Sequence, residues 1–210
     1  MTAARLILAS ASPRRTQLLQ QIGVAHRVVP AQVDEQRAAG EPIEDCVRRL
    51  ARQKALAVQR ALSTAAAAAR VAGGTAGADS AATRLAVLGA DTAVVIDDDM
   101  LGKPRDRVDG LAMLARLSGR WHQVLTAVAL ARADGVQCSL SRSEVRLRDL
   151  GARECEDYWD RGEPRDKAGG YAIQGLAAAF VRELRGSYSG VVGLPLFETA
   201  QLLAAAGLWR

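Results

Sequence analysis

Short apolar β-type runs alternate with helical stretches along almost the whole chain, and this alternation restricts the fold more than any other feature. Arg5–Ala9 is apolar up to Ser10, and Thr16–Ile22 follows with helical spacing and a Gly23 stop. His26–Pro30 reads as a second strand, residues 31–42 as a polar loop with Gly40 and Pro42, and Ile43–Leu62 as an amphipathic helix. Leu85–Ala90 and Ala93–Ile96 are β-type runs around Gly89-Ala90-Asp91-Thr92, followed by a turn at Asp97–Asp99, a loop at Gly102–Arg105 and a helix at Asp109–Leu117. Val124–Ala131 and Val136–Leu147 read as a hairpin about Ala133-Asp134-Gly135. A helix at Ala152–Asp160, a glycine-rich stretch at Asp166–Gly175, a strand at Ala177–Leu184 and a closing helix at Leu194–Ala206 complete the pattern. Alternation with one hairpin predicts an α/β fold, a mixed β-sheet with flanking helices.

At 210 residues and 49 % hydrophobic content, the chain supports a sizeable core, which excludes wholesale disorder and favours one domain of two lobes. No uncharged apolar stretch approaches ~20 residues, so no transmembrane helix is expected. The first apolar run is too short for a signal-peptide core and meets Ser-Pro-Arg-Arg. Cys46, Cys138 and Cys155 are scattered, with no C-x-x-C spacing. They form neither a disulfide framework nor a zinc cluster, and they fit a reducing, cytoplasmic compartment. Residues 63–84 are rich in Ala, Gly, Ser and Thr; the alanines extend the preceding helix or join a flexible surface insertion, and no chemistry is expected there.

Charge narrows the function. Lys plus Arg is 28 against 23 for Asp plus Glu, a net +5, which suits nucleic acid, a membrane surface or a phosphate-bearing small molecule. Aromatics are only 4 %, too few for base-stacking platforms along a nucleic acid strand. Only Lys54, Lys103 and Lys167 among the basic residues are lysines, and each sits in an unusual segment. Ser10-Ala-Ser12-Pro13-Arg14-Arg15 lies between a strand and a helix, with Ser12 as N-cap and Pro13 in the first turn. Helix N–H groups and two guanidinium groups make an anion site there, although arginines in a first turn oppose the macrodipole. Asp34-Glu35 is either a solvated acidic loop or a hard-oxygen pair for a divalent metal. Lys54 lies about 20° off the Ile43 direction, on the apolar stripe of its helix, where a lysine either snorkels to the surface or faces a cleft and neutralises phosphate. Asp91 is a carboxylate set in an apolar strand, which needs a partner; it suits a general base, a metal ligand or a cap on a neighbouring turn. Lys103, in Gly-Lys-Pro, is a loop lysine able to serve the same site, and Gln174 offers a donor and an acceptor to a base edge.

In order along the chain, SASPRR (10–15), VDE (33–35), Lys54, GADT (89–92), GKP (102–104), SGRWHQVLTAVAL (118–130), DKAGGYAIQG (166–175) and VVGLPL (191–196) resemble the motifs of the Maf family of nucleoside triphosphate pyrophosphatases. The resemblance covers residues 5–203. It implies hydrolysis of the α–β phosphoanhydride to a monophosphate and pyrophosphate with Mg²⁺ or Mn²⁺, in house-cleaning of non-canonical nucleotides. It also implies an elongated fold of two lobes around a central cleft, similar to the inosine triphosphatase fold, a homodimer, and a link to septum formation. On the same ground Asp91 is the proton acceptor, Lys54 and Lys103 are catalytic, and Glu35 with Asp91 holds the metal. Ser10, Ser12, Arg14, Arg15, Thr92 and Gln174 bind substrate, with Thr92 and Gln174 reading the base. Arg14, Thr92 and Gln174 match the dTTP/UTP subfamily rather than the one acting on 7-methyl-GTP, so a pyrimidine is the expected substrate, with neither nucleic acid nor membrane as partner. Gly170 and Ala172 depart from the usual Ala and Gly. The alternative is a non-enzymatic nucleotide-binding regulator of cell division, which has no evident need of the Asp91 carboxylate.

Overall fold

The computed structural model describes residues 5–71 and 85–209. Its elements are β1 (Leu6–Leu8), α1 (Pro13–Gln21), β2 (His26–Val28), α2 (Ile43–Val71), β3 (Ala86–Ile96), β4 (Asp99–Leu101) and α3 (Arg107–Leu117). There follow β5 (Trp121–Arg132), β6 (Gly135–Leu147), α4 (Ala152–Asp160), β7 (Val181–Arg185), α5 (Tyr188–Val192) and α6 (Leu196–Ala205). Among the described residues the strands form one sheet, in the order β2-β1-β3-β5-β6-β7 with β4 on β3. β1 runs parallel to β2 and β3, whereas β3–β4 and β6–β7 are antiparallel, so the sheet is mixed. No helix among the described residues is long and apolar enough to cross a membrane.

The chain divides into two compact units. The first takes in Met1–Asp91, Ala127–Leu140 and Leu196–Arg210; the second takes in Thr92–Thr126 and Ser141–Pro195. In the first, Leu6, Ile7 and Leu8 are all buried, as a strand with parallel neighbours on both sides requires. α2 turns Cys46, Val47, Leu50, Ala51, Ala55 and Val58 inward, the i, i+4 rows of one helical face. This face meets β3 at Gly89. A Cβ there would lie 2.3 Å from the Ala51 carbonyl oxygen and 2.7 Å from the Ala55 nitrogen, so only glycine lets the helix backbone rest on the strand. Gly89→Ala is expected to destabilise the protein by about 3 kcal/mol, because backbone rather than a flexible side chain must move. Urea melts measure it, and a loss below about 1 kcal/mol would contradict the close packing.

The structure corrects two local expectations and sharpens two others. β3 is one continuous strand through Asp91 and Thr92 instead of two runs. The turn expected at Asp97–Asp99 is present, centred on Asp97 and Asp98, which have φ of 53° and 59°, and Ile96 pairs with Asp99. That is a two-residue hairpin of the I′ kind, which adds β4. Leu176–Phe180 is a 3-10 helix, so β7 begins only at Val181. The closing helix expected over Leu194–Ala206 is α6, Leu196–Ala205; a separate short helix, α5, precedes it, and Gly193, with φ 124°, and Pro195, which lacks the N–H a continuing helix needs, keep the two apart. α2 also runs on to Val71, since the alanine run at 65–69 favours helix; the rest of the expected 63–84 insertion, residues 72–84, lies outside the described residues.

Candidate active site

The first unit gathers most of the polar residues singled out in the sequence. β1 delivers the chain to Ser10, which is buried, and Pro13 opens α1 at its first position. Ser10 Oγ accepts from Ser12 N at 3.2 Å and from Arg15 Nη1 at 3.0 Å. Both lone pairs are then used, and the Ser10 hydroxyl proton is what it offers an anionic oxygen. Ser12 occupies the N-cap with extended backbone, but its side chain makes no capping hydrogen bond. The helix start carries no acidic residue, so its exposed N–H groups and Arg14 and Arg15 leave it electropositive.

Lys54 is 8 % exposed, and its side chain leaves the buried face of α2 to end between two carboxylates. Its Nζ is 2.6 Å from Asp91 Oδ1 and 2.6 Å from Glu35 Oε1. Lys54 therefore does not snorkel to open solvent; its ammonium is held by the two carboxylates. The Gly89 contact makes this reach possible, since Ala55 packs on the strand two residues before Asp91. Burial raises the Asp91 carboxyl above its ordinary value; Lys54 and Arg15 pull it down, and Glu35 pushes it up. Burial lowers the Arg15 guanidinium, opposed by Asp91 and Glu35. Of the acidic pair in the loop before α2, only Glu35 joins this cluster. Asp34 Oδ1 accepts from Gln36 N at 2.9 Å and stabilises its own turn.

Among the described residues no group of three or more His, Cys, Asp or Glu side chains is placed to hold a metal ion. Asp91 and Glu35 nonetheless converge on one cation, the Lys54 ammonium. Two carboxylates fit the Mg²⁺ mode, in which phosphate oxygens and water complete the shell.

The second unit holds Thr92, Lys103 and Gln174. Thr126 Oγ1 is 2.7 Å from the Gly190 carbonyl and 3.0 Å from Thr92 Oγ1. A carbonyl only accepts, so the single Thr126 proton goes there and the Thr92 hydroxyl donates to Thr126. This ties the Thr92 hydroxyl to Thr126. Lys103 is exposed and lines a pocket of about 360 Å³ with Met100, Met113 and Arg116. The Gly102 carbonyl accepts from Gly169 N at 3.0 Å, tying the Lys103 loop to the glycine-rich segment. Gly169 and Gly170 both have φ 69°, the left-handed region, so the double glycine is required by the backbone. Gln174 is exposed on that segment. Beneath it, His122 Nε2 is 2.7 Å from the Tyr171 hydroxyl; burial pulls the imidazole to about 4 and pushes the phenol up, so a neutral His122 accepts from Tyr171. Thr126, His122, Tyr158 and Glu163 were not singled out in the sequence. Thr126 and His122 lie inside a recognised motif, whereas nothing local distinguishes Tyr158 or Glu163.

Comparison with known proteins completes the description. The family described as Maf-like protein matches residues 5–206. The chain is 51 % identical over 205 residues to a dTTP/UTP pyrophosphatase of Saccharophagus degradans, covering 96 % of this chain and 89 % of that one. It is 49 % identical to one from Pseudoalteromonas atlantica, covering 97 % of both chains, and 46 % identical to one from Hahella chejuensis, covering 97 % of this chain and 93 % of that one. A solved Ham1 protein of Staphylococcus aureus has a TM-score of 0.37 and 11 % identity, over 69 % of this chain and 72 % of that one.

Proposed function

This chain belongs to the Maf family, and from that premise we propose that it hydrolyses dTTP and UTP to the nucleoside monophosphate and pyrophosphate. The observation that carries the reading is the Lys54 ammonium bridging Asp91 and Glu35 beside the electropositive start of α1. A compact cation, a basic carboxylate and an anion cradle are what phosphoanhydride hydrolysis needs.

In this reading the Ser10 hydroxyl, Ser12, Arg14 and Arg15 bind phosphate oxygens. Asp91 takes a proton from the attacking water. The water oxygen forms the new bond to phosphorus as the anhydride bond breaks, and the electron pair leaves with pyrophosphate. A carboxyl raised by burial is a stronger base than an exposed one, which suits this step near neutral pH. Lys54 and Lys103 neutralise charge on the leaving group, usually the largest contribution to such catalysis. Glu35 and Asp91 would hold a divalent cation, which supplies further neutralisation of phosphate charge. Thr92 and Gln174 read the pyrimidine. A homodimer and a cytoplasmic setting belong to the proposal on the strength of the family resemblance.

The test is a panel of dTTP, UTP, CTP, ATP and 7-methyl-GTP with Mg²⁺ or Mn²⁺, with products identified by chromatography. Monophosphate plus pyrophosphate, preferentially from dTTP and UTP and abolished by a chelator, is the expected result. Release of orthophosphate would overturn the cleavage position. Binding without turnover would overturn the enzyme reading in favour of a nucleotide sensor.

A further inference from the structure

Gln174 sits at the third position of a turn in which Gly175 N donates to the Ala172 carbonyl at 3.0 Å. Tyr171, Ala172 and Ile173 are buried and seat the first half of this turn, but Gln174 itself is exposed and is followed by Gly175, so burial alone does not fix its place. Both feet of this turn, however, lead to one carboxylate. Glu163 Oε2 accepts from Leu176 N at 3.0 Å, just past Gln174. Glu163 Oε1 accepts from the Tyr158 hydroxyl at 2.7 Å, and that hydroxyl accepts from Ala172 N at 3.1 Å, just before Gln174. Ala177 N also points at Oε1, at 3.5 Å. Tyr158 is buried and packs edge-on against Phe180 at 5.1 Å, so the relay is anchored in the core of the second unit. Burial and Glu163 keep its phenol protonated, which fixes the direction of the relay.

Gly175 closes the clamp. Its backbone is extended, with φ −148°, so no conformational demand calls for glycine. A Cβ there would lie 2.4 to 2.5 Å from the Glu163 carboxylate, so glycine is present because the carboxylate comes so near.

We propose that Glu163 is the positioning residue for Gln174: its carboxylate clamps the Ala172–Leu176 turn from both sides and so sets selectivity for the uracil or thymine edge. This rests on the reading of Gln174 as the base reader. Uracil presents an acceptor at O4 and a donor at N3, and cytosine presents the reverse. A carboxamide on a loose turn shifts to satisfy either base; one on a clamped turn does not, and the wrong base leaves groups unpaired. Glu163 touches no substrate in this scheme. It acts only through the turn.

The readout is the ratio of kcat/KM for UTP to that for CTP. A merely structural role lowers both rates together and leaves the ratio where it was. Glu163→Gln keeps size but replaces one acceptor oxygen with a donor, and it is expected to lower the ratio about tenfold, the worth of one hydrogen bond. Gly175→Ala is the second route: it displaces the carboxylate through its flexible end, keeps its chemistry, and is expected to lower the ratio likewise even where Glu163→Gln fails to fold. Gln174→Ala should lower the ratio at least as much, and adding Glu163→Gln to it should change the ratio no further. If Gln174→Ala lowers the ratio while Glu163→Gln and Gly175→Ala leave it unchanged, the clamp is wrong and the base reader stands. If the double variant falls well below Gln174→Ala, Glu163 acts elsewhere and the clamp is wrong. If Gln174→Ala leaves the ratio unchanged, Gln174 does not read the base and both fall.

Discussion

Asp91→Asn should lower kcat by about 10³-fold, within the range for a positioned general base, while nucleotide binding changes little. The substitution keeps the shape of the side chain, and an amide oxygen still accepts from the Lys54 ammonium now 2.6 Å away. Removing a negative charge beside the phosphate cradle tightens binding if anything. What the amide cannot do is take a proton from water. Single-turnover rates with dTTP measure the loss, and calorimetric titration under the same conditions measures binding. A kcat within tenfold of the parent would remove Asp91 as the base and leave it a ligand or an anchor for Lys54.

The residues of this cluster were legible in the sequence because their signals are local. Lys54 betrays itself by lying on the apolar stripe of its own helix, a matter of 3.6-residue periodicity, and the structure buries it on that stripe between Leu50 and Val58. Asp91 betrays itself as a charge within β3, and Ser10 to Arg15 as a strand meeting a helix start. The partner of Lys54 was not legible: Asp91 lies 37 residues away and is brought to it by the packing of α2 on β3 at Gly89. The errors have the same origin. Ala177 reads as strand from its apolar neighbours, yet the Glu163 carboxylate thirteen or fourteen positions earlier captures the N–H groups of Leu176 and Ala177 and bends that stretch into a 3-10 turn. The turn at Asp97-Asp98 was legible as a turn, but not the ion pairs on it, Arg116 on Asp99 and Arg120 on Asp97, whose cations come from α3 and the turn after it. Periodicity finds faces and strand edges; it does not find which distant carboxylate or guanidinium will decide a turn.

Lys54→Met carries the second large effect, and its signature is in pH. Burial already raises Asp91, and Lys54 is the strongest influence opposing it, with Arg15 next. Methionine fills the stem's volume but removes the charge, leaving Asp91 and Glu35 to repel each other. The Asp91 carboxyl then rises further, and the acid limb of the kcat/KM profile, which reports the base losing its proton, moves to higher pH. At pH 7 kcat/KM should fall about 10²-fold or more, since charge neutralisation at the leaving group is lost as well. Stability follows with a definite sign. With the folded-state value raised above the unfolded one, the folded protein binds the extra proton, so the variant is most stable below the unfolded value and loses stability as pH rises through the folded one. Its deficit at pH 7, about 3 kcal/mol for a buried partner left uncompensated, should therefore shrink on acidification, where Asp91 becomes neutral. Rate profiles from about pH 5 to 9, with urea melts at both ends, resolve the two effects. An acid limb that stays where it was would show that the Lys54 charge does not act on Asp91, and would leave the ion pair a packing contact alone.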